Sequence, residues 1–276
     1  MNHLTEILVV DRFEPLRAQL LELLSGLEEQ DWNSTTAAPQ WSVKDVTAHL
    51  LGGDIGILSR VRDEYSQRGE QIIDYRDLVR LVDRLNDEWI VAARRMSPRV
   101  LQELLAFTGP RVESYFASLD LHAMGGPVSW AGPDAAPVWF DVAREFTERW
   151  HHQQQVRDAT GRRPLNDPFF FAPVLDTFTR ALPFSFRHLA AREGTSVRFQ
   201  ISGEAGGVWF LQRVANGWDF VATPASEPAA DVRLPQEIAW RLFTKGIDRE
   251  RARSQAIVRG KEDLVSPIFS ATAVIG

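Results

Sequence analysis

The sequence predicts an α+β protein: a helical bundle over residues 1–164, then a small α+β domain with a mostly antiparallel sheet over 165–276. Three observations predict it. Apolar residues recur at helical spacing in long stretches as far as Gln155, the period of two expected of a half-buried strand begins at Ser196, and Asn216-Gly217 marks a tight hairpin. A length of 276 residues exceeds one average core and favours two domains.

Leu8, Val9, Phe13, Leu16, Leu20, Leu23 and Leu24 keep helical spacing between Leu4 and Leu27. Gly26 and the stretch from Asp31 to Gln40, with Asn33, Ser34, Thr35, Thr36 and Pro39, read as a loop. Ser42 is a plausible N-cap, and Asp45 completes an acidic first turn. A second helix over 43–65 has Val43, Val46, Leu50, Ile57 and Val61 as its buried stripe, with His49 off that stripe. Gly52, Gly53 and Gly56 follow His49 at i+3, i+4 and i+7, and each costs a helix roughly 1 kcal/mol against alanine. They either admit a neighbouring helix or leave room for a ligand.

A third helix is expected from Asp74 to Met96, on Leu78, Leu81, Val82, Leu85, Trp89 and Ile90. Ser97-Pro98 ends it and starts the next, over 100–119, with an interruption at Gly109-Pro110. Residues 125–137, rich in Gly, Pro and Ala, read as an irregular loop before a helix from Trp139 to Gly161. Together these suggest an antiparallel bundle of four main helices with long connections. Beyond Pro164, Phe169 to Arg192 is expected as one helix. Strands follow at Val197–Ile201, Val208–Val214, Trp218–Thr223, Asp231–Leu234 and Ala256–Val258, with helices over 236–243 and 262–269.

Composition excludes several function classes. The net charge of −6 gives no basic footprint for nucleic acid. No apolar run approaches the ~18 residues of a membrane span, and Met1 to Glu6 lacks the pattern of a signal peptide, so a cytoplasmic protein is expected. There is no cysteine, which rules out disulfides, cysteine-ligated zinc and a protein thiol nucleophile. Any sulfur chemistry would need an external thiol. Gly203, Gly206 and Gly207 lie in a hairpin region and fit no dinucleotide fingerprint, and no Gly-x-Ser-x-Gly elbow is present.

The stretch that carries chemistry is Thr147 to Gln155. Glu148 and His152 are four apart on one helix and project from the same side, two ready ligands for a divalent metal. His49 is the best candidate for a third. The bland alternative is a solvated face, because Glu145, Glu148, His152 and Gln155 fall opposite the apolar stripe of Trp139, Val142, Ala143, Phe146 and Trp150. His151, three residues after Glu148, competes with His152 on spacing alone.

Trp41-Ser42-Val43-Lys44-Asp45-Val46 followed by His49-Leu50 resembles the second-helix signature of DinB-like four-helix metalloproteins. It is more closely similar to the N-terminal domain of the mycothiol-dependent maleylpyruvate isomerase family. Asn86 and Trp89, then Glu148 and His152, sit where that family has similar residues. Gly206-Gly207-Val208-Trp209, Ala229 to Leu234 and Val258 to Lys261 are similar to its second domain, which has a sterol-carrier-like fold. The resemblance implies a metal held by His49, Glu148 and His152, and an enzyme that uses mycothiol or another low-molecular-weight thiol. The implied reaction is cis–trans isomerisation of a maleylpyruvate-like diacid, or thiol transfer to an electrophile. The alternative it leaves is a binding protein for an apolar ligand with a structural or vestigial metal site. Many relatives carry Asp where this chain has Gln155, three residues after the second histidine.

Two histidines, one carboxylate and an open position are the pattern of catalytic zinc, with nickel, iron or manganese also compatible. With a divalent ion the set would carry about +1 and attract an anionic oxygen or thiolate. The substrate expected is therefore a small anionic or electrophilic molecule, on a monomer or homodimer. Arg84 and Arg241 are candidates to hold substrate carboxylates by bidentate contacts. The run Arg249 to Arg253 reads as a solvated basic segment, His3, His122 and His188 as structural or exposed, and Trp89 and Trp150 as core.

Overall fold

A 3-10 turn at Val10–Arg12 leads directly into α1 (Phe13–Ser25), which buries Phe13, Leu16, Leu20, Leu23 and Leu24. The computed structural model describes residues 5–38, 40–65 and 74–274, so the expectations for His3, Leu4 and Pro39 lie outside it. Leu8, counted in the first apolar stripe, precedes the helix and is exposed. Gly26 closes α1, its N–H reaching the carbonyls of Glu22 and Leu23.

The second helix, α2 (Val43–Gly56), opens on a full capping box: Ser42 Oγ accepts from the Asp45 N–H, and the Asp45 carboxylate accepts from the Ser42 N–H. It does not run as α-helix to Tyr65. A π-helical stretch, Ile57–Arg62, follows Gly56. The wider turn shifts the side-chain register, and Val61, expected in the buried stripe, is 53% exposed. Next comes α3 (Tyr75–Ala93), capped by Asp74. Of its expected stripe only Ile90 is fully buried, and Leu85 is exposed.

The following helix, α4 (Pro98–Ala117), passes unbroken through Gly109-Pro110, correcting the expected interruption. Gly109 is buried, and a Cβ there would collide with the Arg17 side chain. The glycine therefore serves close packing on α1 and is no helix stop. After an irregular stretch comes α5 (Val138–Ala159).

The expected helix from Phe169 to Arg192 is two pieces, α6 (Pro168–Thr179) and α7 (Leu182–Ser185). The Arg180 and Ala181 N–H groups donate back three residues, to the Thr177 and Phe178 carbonyls, which closes α6, and Pro183 stands in the first turn of α7, where its missing N–H costs no bond. Five strands follow: β1 (Ser196–Ser202), β2 (Gly207–Val214), β3 (Gly217–Val221), β4 (Ala230–Pro235) and β5 (Ile257–Gly260). Their order in the sheet is β3-β2-β1-β4-β5, and only β1–β4 is parallel. The β2–β3 hairpin forms, but Val214 pairs with Gly217, so the two turn residues are Ala215 and Asn216, and Gly217, at φ +150°, opens β3. Val197, Phe199 and Ile201 bury one face of β1, and Phe178 and Phe243 lie against that core. The remaining helices are α8 (Gln236–Phe243), α9 (Arg249–Ser254) and α10 (Glu262–Ser270). The basic run at 249–253 is thus helical, started by Asp248, whose carboxylate accepts from the Arg251 N–H.

Two compact units result. One gathers Leu8–Ala123 with Glu145–Leu165, and the other Met124–Arg144 with Asn166–Val274. The irregular stretch before α5 thus groups with the sheet, although it precedes Pro164 in sequence. No helix among the described residues is long and apolar enough to cross a membrane.

Candidate metal centre

Asp45 and Asp54 bracket His49 on α2, and each is fastened to another helix. Arg94, just past the end of α3, grips Asp45 with two hydrogen bonds of 3.0 and 3.1 Å. Burial opposes ionisation of Asp45, but the Arg94 and Ser42 hydrogen bonds and the Arg94 charge outweigh it and hold its pKa below the usual value. Asp54 is buried, accepts from Thr108 Oγ1 of α4 at 2.7 Å, and pairs with Arg149 of α5 at 2.8 Å. Arg149 also bonds Glu145 at 2.7 Å. Burial works against its charge, yet the two carboxylates prevail and raise its pKa.

This ion-pair network sets α2 against α5 one residue away from Glu148. Sequence reasoning missed it. The available signal was Asp54 itself, which falls on the buried stripe one turn after Leu50, where a carboxylate needs an internal partner.

The register brings His49 to face Glu148 and His152. One donor atom from each lies within 4.8 Å of the others. Bonds of ~2.1 Å to a tetrahedral ion put donors ~3.4 Å apart, so side-chain rotations of roughly 1 Å close the set. The His49 and His152 rings meet edge to face at 4.7 Å, and Glu148 Oε2 lies 3.5 Å from His152 Nε2. On its other side His49 meets the Trp41 ring at 4.9 Å. Its imidazole has no hydrogen-bond partner among the described residues, whereas His152 Nδ1 is held by Gln155 Oε1 at 2.9 Å. If that contact is Nδ1–H donating to the amide oxygen, Nε2 keeps its lone pair toward Glu148. The donor set, two imidazoles and a carboxylate converging on one point, fits a divalent metal.

The face carrying this set is half-buried: Glu145, Glu148 and Gln155 are partly exposed and His152 is buried. His151 and His152 are buried. His151 turns away: its Nδ1 sits 3.2 Å from the Thr147 carbonyl and 4.0 Å from Glu148 Oε2, with its ring against His152. Burial first, then the neighbouring His152, pushes the pKa of both His49 and His151 down to about 3. Both are therefore neutral at physiological pH, and neutral imidazole is the form that binds a metal.

The glycines beside His49 divide by role. A Cβ at Gly52 would stand 2.7 Å from the Trp89 indole, whose Nε1 donates to the Ala48 carbonyl at 2.7 Å. Gly52 therefore admits a side chain of α3. A Cβ at Gly56 would meet Arg60, and one at Gly53 would meet nothing within 4 Å. Arg84 is exposed on α3 and pairs with Glu88 at 3.0 Å. Arg241 lies on α8 over the Trp240 ring, 3.6 Å from Glu237.

Residues 13–157 match the family described as mycothiol maleylpyruvate isomerase N-terminal domain. The chain belongs to this family. The matched span contains His49, Glu148 and His152 and covers α1 through most of α5. Two crystal structures of the mycothiol-dependent maleylpyruvate isomerase share the fold of this family member. A histidine-to-alanine variant of that enzyme aligns at a TM-score of 0.53 with 10% identity, covering 90% of each chain. A second structure of the enzyme aligns at 0.51 with 11% identity, covering 84% of this chain and 86% of the other. No curated protein matches by sequence.

Proposed function

We propose that the chain is a metal-dependent enzyme in which His49, Glu148 and His152 hold a divalent ion and an external low-molecular-weight thiol supplies sulfur. The reaction class we assign is maleylpyruvate isomerase-like cis–trans isomerisation of a small unsaturated diacid, with thiol transfer to a small electrophile as the related alternative. The convergence of three donors from two helices far apart in sequence carries this reading, and family membership supports it.

Bound there, a zinc ion, or nickel, iron or manganese, would lower the pKa of a thiol beside it. The chain's own residues do the rest. Two neutral histidines and one carboxylate leave a net charge of about +1 with a divalent ion, which draws a thiolate or a carboxylate oxygen. Gln155 fixes the His152 ring, and the Asp54–Arg149 pair keeps the two ligand helices in register. In the isomerisation the thiolate adds to the double bond, the resulting single bond rotates, and the same thiolate leaves, so no redox partner is required. Mycothiol is the thiol named by the family. Arg84 and Arg241 remain proposed carboxylate holders, each of which would exchange a glutamate partner for the substrate. A cytoplasmic monomer or homodimer goes with this reading.

The test is elemental analysis of untagged protein, wild type against His49→Ala and His152→Ala. We expect about one ion per chain in the wild type and its loss, with helical circular dichroism retained, in both variants. Maleylpyruvate turnover with mycothiol then follows the metal content. Wild-type protein that takes up no divalent metal ends the proposal.

A further inference from the structure

Gly52 and Gly53 look alike in sequence and differ in space. Packing demands glycine at 52, where a Cβ would press on the Trp89 ring. At 53 a Cβ would meet nothing within 4 Å, and the backbone there is ordinary right-handed helix. Glycine in a helix interior is destabilising relative to alanine. Neither packing nor backbone conformation therefore accounts for Gly53.

Its position supplies a reason. Gly53 lies one turn after His49 on the same side of α2. Side chains on a helix lean toward its N-terminus, so any side chain at 53 would lie over the turn that carries His49. The His49 ring is already flanked by Trp41 and by His152. Gly53 is exposed, and the space its side chain would fill beside the His49 turn is free of other atoms.

We propose that the bare backbone at Gly53 forms one wall of the approach to the metal held by His49, Glu148 and His152, and that it sets the size of thiol or substrate admitted. The inference rests on the metal reading above and goes beyond it by naming the residue that limits access.

The experiment uses full-length protein loaded with cobalt(II) in place of the native metal, with N-acetylcysteine as the probe thiol. Cobalt content is measured first, and thiol binding is then followed by the thiolate-to-cobalt absorption band. Gly53→Ala should raise Tm by about 2 °C or more, because the helix gains and nothing is displaced. Gly53→Leu should bind cobalt as the wild type does and bind the thiol on the order of tenfold more weakly, the overpacking penalty of a filled approach. Equal thiol affinity in wild type and Gly53→Leu, with cobalt bound in both, overturns the inference and leaves the metal reading standing. Wild-type protein without cobalt overturns the metal reading and the inference with it. If Gly53→Leu does not fold, Gly53→Ala decides. A stabilised alanine variant with weakened thiol binding supports the wall, whereas a destabilised one, or one with unchanged thiol affinity, refutes it.

Discussion

Replacing Arg149 by methionine tests whether the buried ion pair holds the two metal-ligand helices in register. The guanidinium makes hydrogen bonds of 2.8 Å to Asp54 and 2.7 Å to Glu145, and the Asp54 side chain is only 7% exposed. Methionine keeps much of the volume and removes the charge. Asp54 then stays buried, with the Thr108 hydroxyl still donating to it at 2.7 Å. Breaking one side of a buried pair in this way costs about 3–5 kcal/mol. For a protein of this size that is a fall in Tm on the order of 10 °C. Differential scanning calorimetry of the metal-free protein reads the loss, and chelator competition reads the accompanying drop in metal affinity. The double variant Arg149→Met, Asp54→Leu removes the stranded carboxylate as well and should recover most of the stability. It should not recover the metal affinity, because an apolar contact does not fix the helix register as a directional hydrogen-bonded ion pair does. A single variant that melts within 1 °C of the wild type, or a double variant no more stable than the single, would refute the reasoning.

Other outcomes follow from the same geometry. Gln155→Leu removes the acceptor at His152 Nδ1 and should weaken metal binding by about 10–100-fold, while Gln155→Asp should retain or improve it; equal affinities in all three proteins would show that Gln155 does not orient the ring. Acidification should destabilise the metal-free fold. The folded pKa of His49 and of His151 is depressed to about 3, so between there and the unfolded value near 6.5 the unfolded chain binds more protons. The stability present above pH 6.5 is therefore lost as pH falls, on the order of 2 kcal/mol per histidine by pH 4.5. Urea midpoints at pH 7.5 and 4.5 measure this, and unchanged midpoints contradict it. Gly52→Ala should destabilise by about 1–3 kcal/mol, the cost of overpacking the Trp89 indole, in contrast to the stabilisation expected at Gly53.

The errors in reading the sequence share a cause. Gly109-Pro110 carries the composition of a break, but Gly109 answers to Arg17, a residue remote in sequence. Val61 fits a continuous helical stripe, and the π-helical stretch at Ile57–Arg62 moves it out. Local composition contains neither fact. Pro183 does carry a local signal, because a proline suits the first turn of a new helix, which is where it stands in α7.

The sequence by itself determined the local things: the capping box at Ser42 and Asp45, the alternation of β1, the hairpin before Trp218, and the placing of Glu148 and His152 on one helical face. Each follows from spacing within a few residues, where backbone geometry leaves little choice. Only the tertiary structure decided that His49 faces that pair, that His151 turns to the Thr147 carbonyl, and that His151 and His152 are both buried. Those outcomes depend on the angle and register at which α2 meets α5, set by contacts such as Arg149 with Asp54 between residues far apart in the chain.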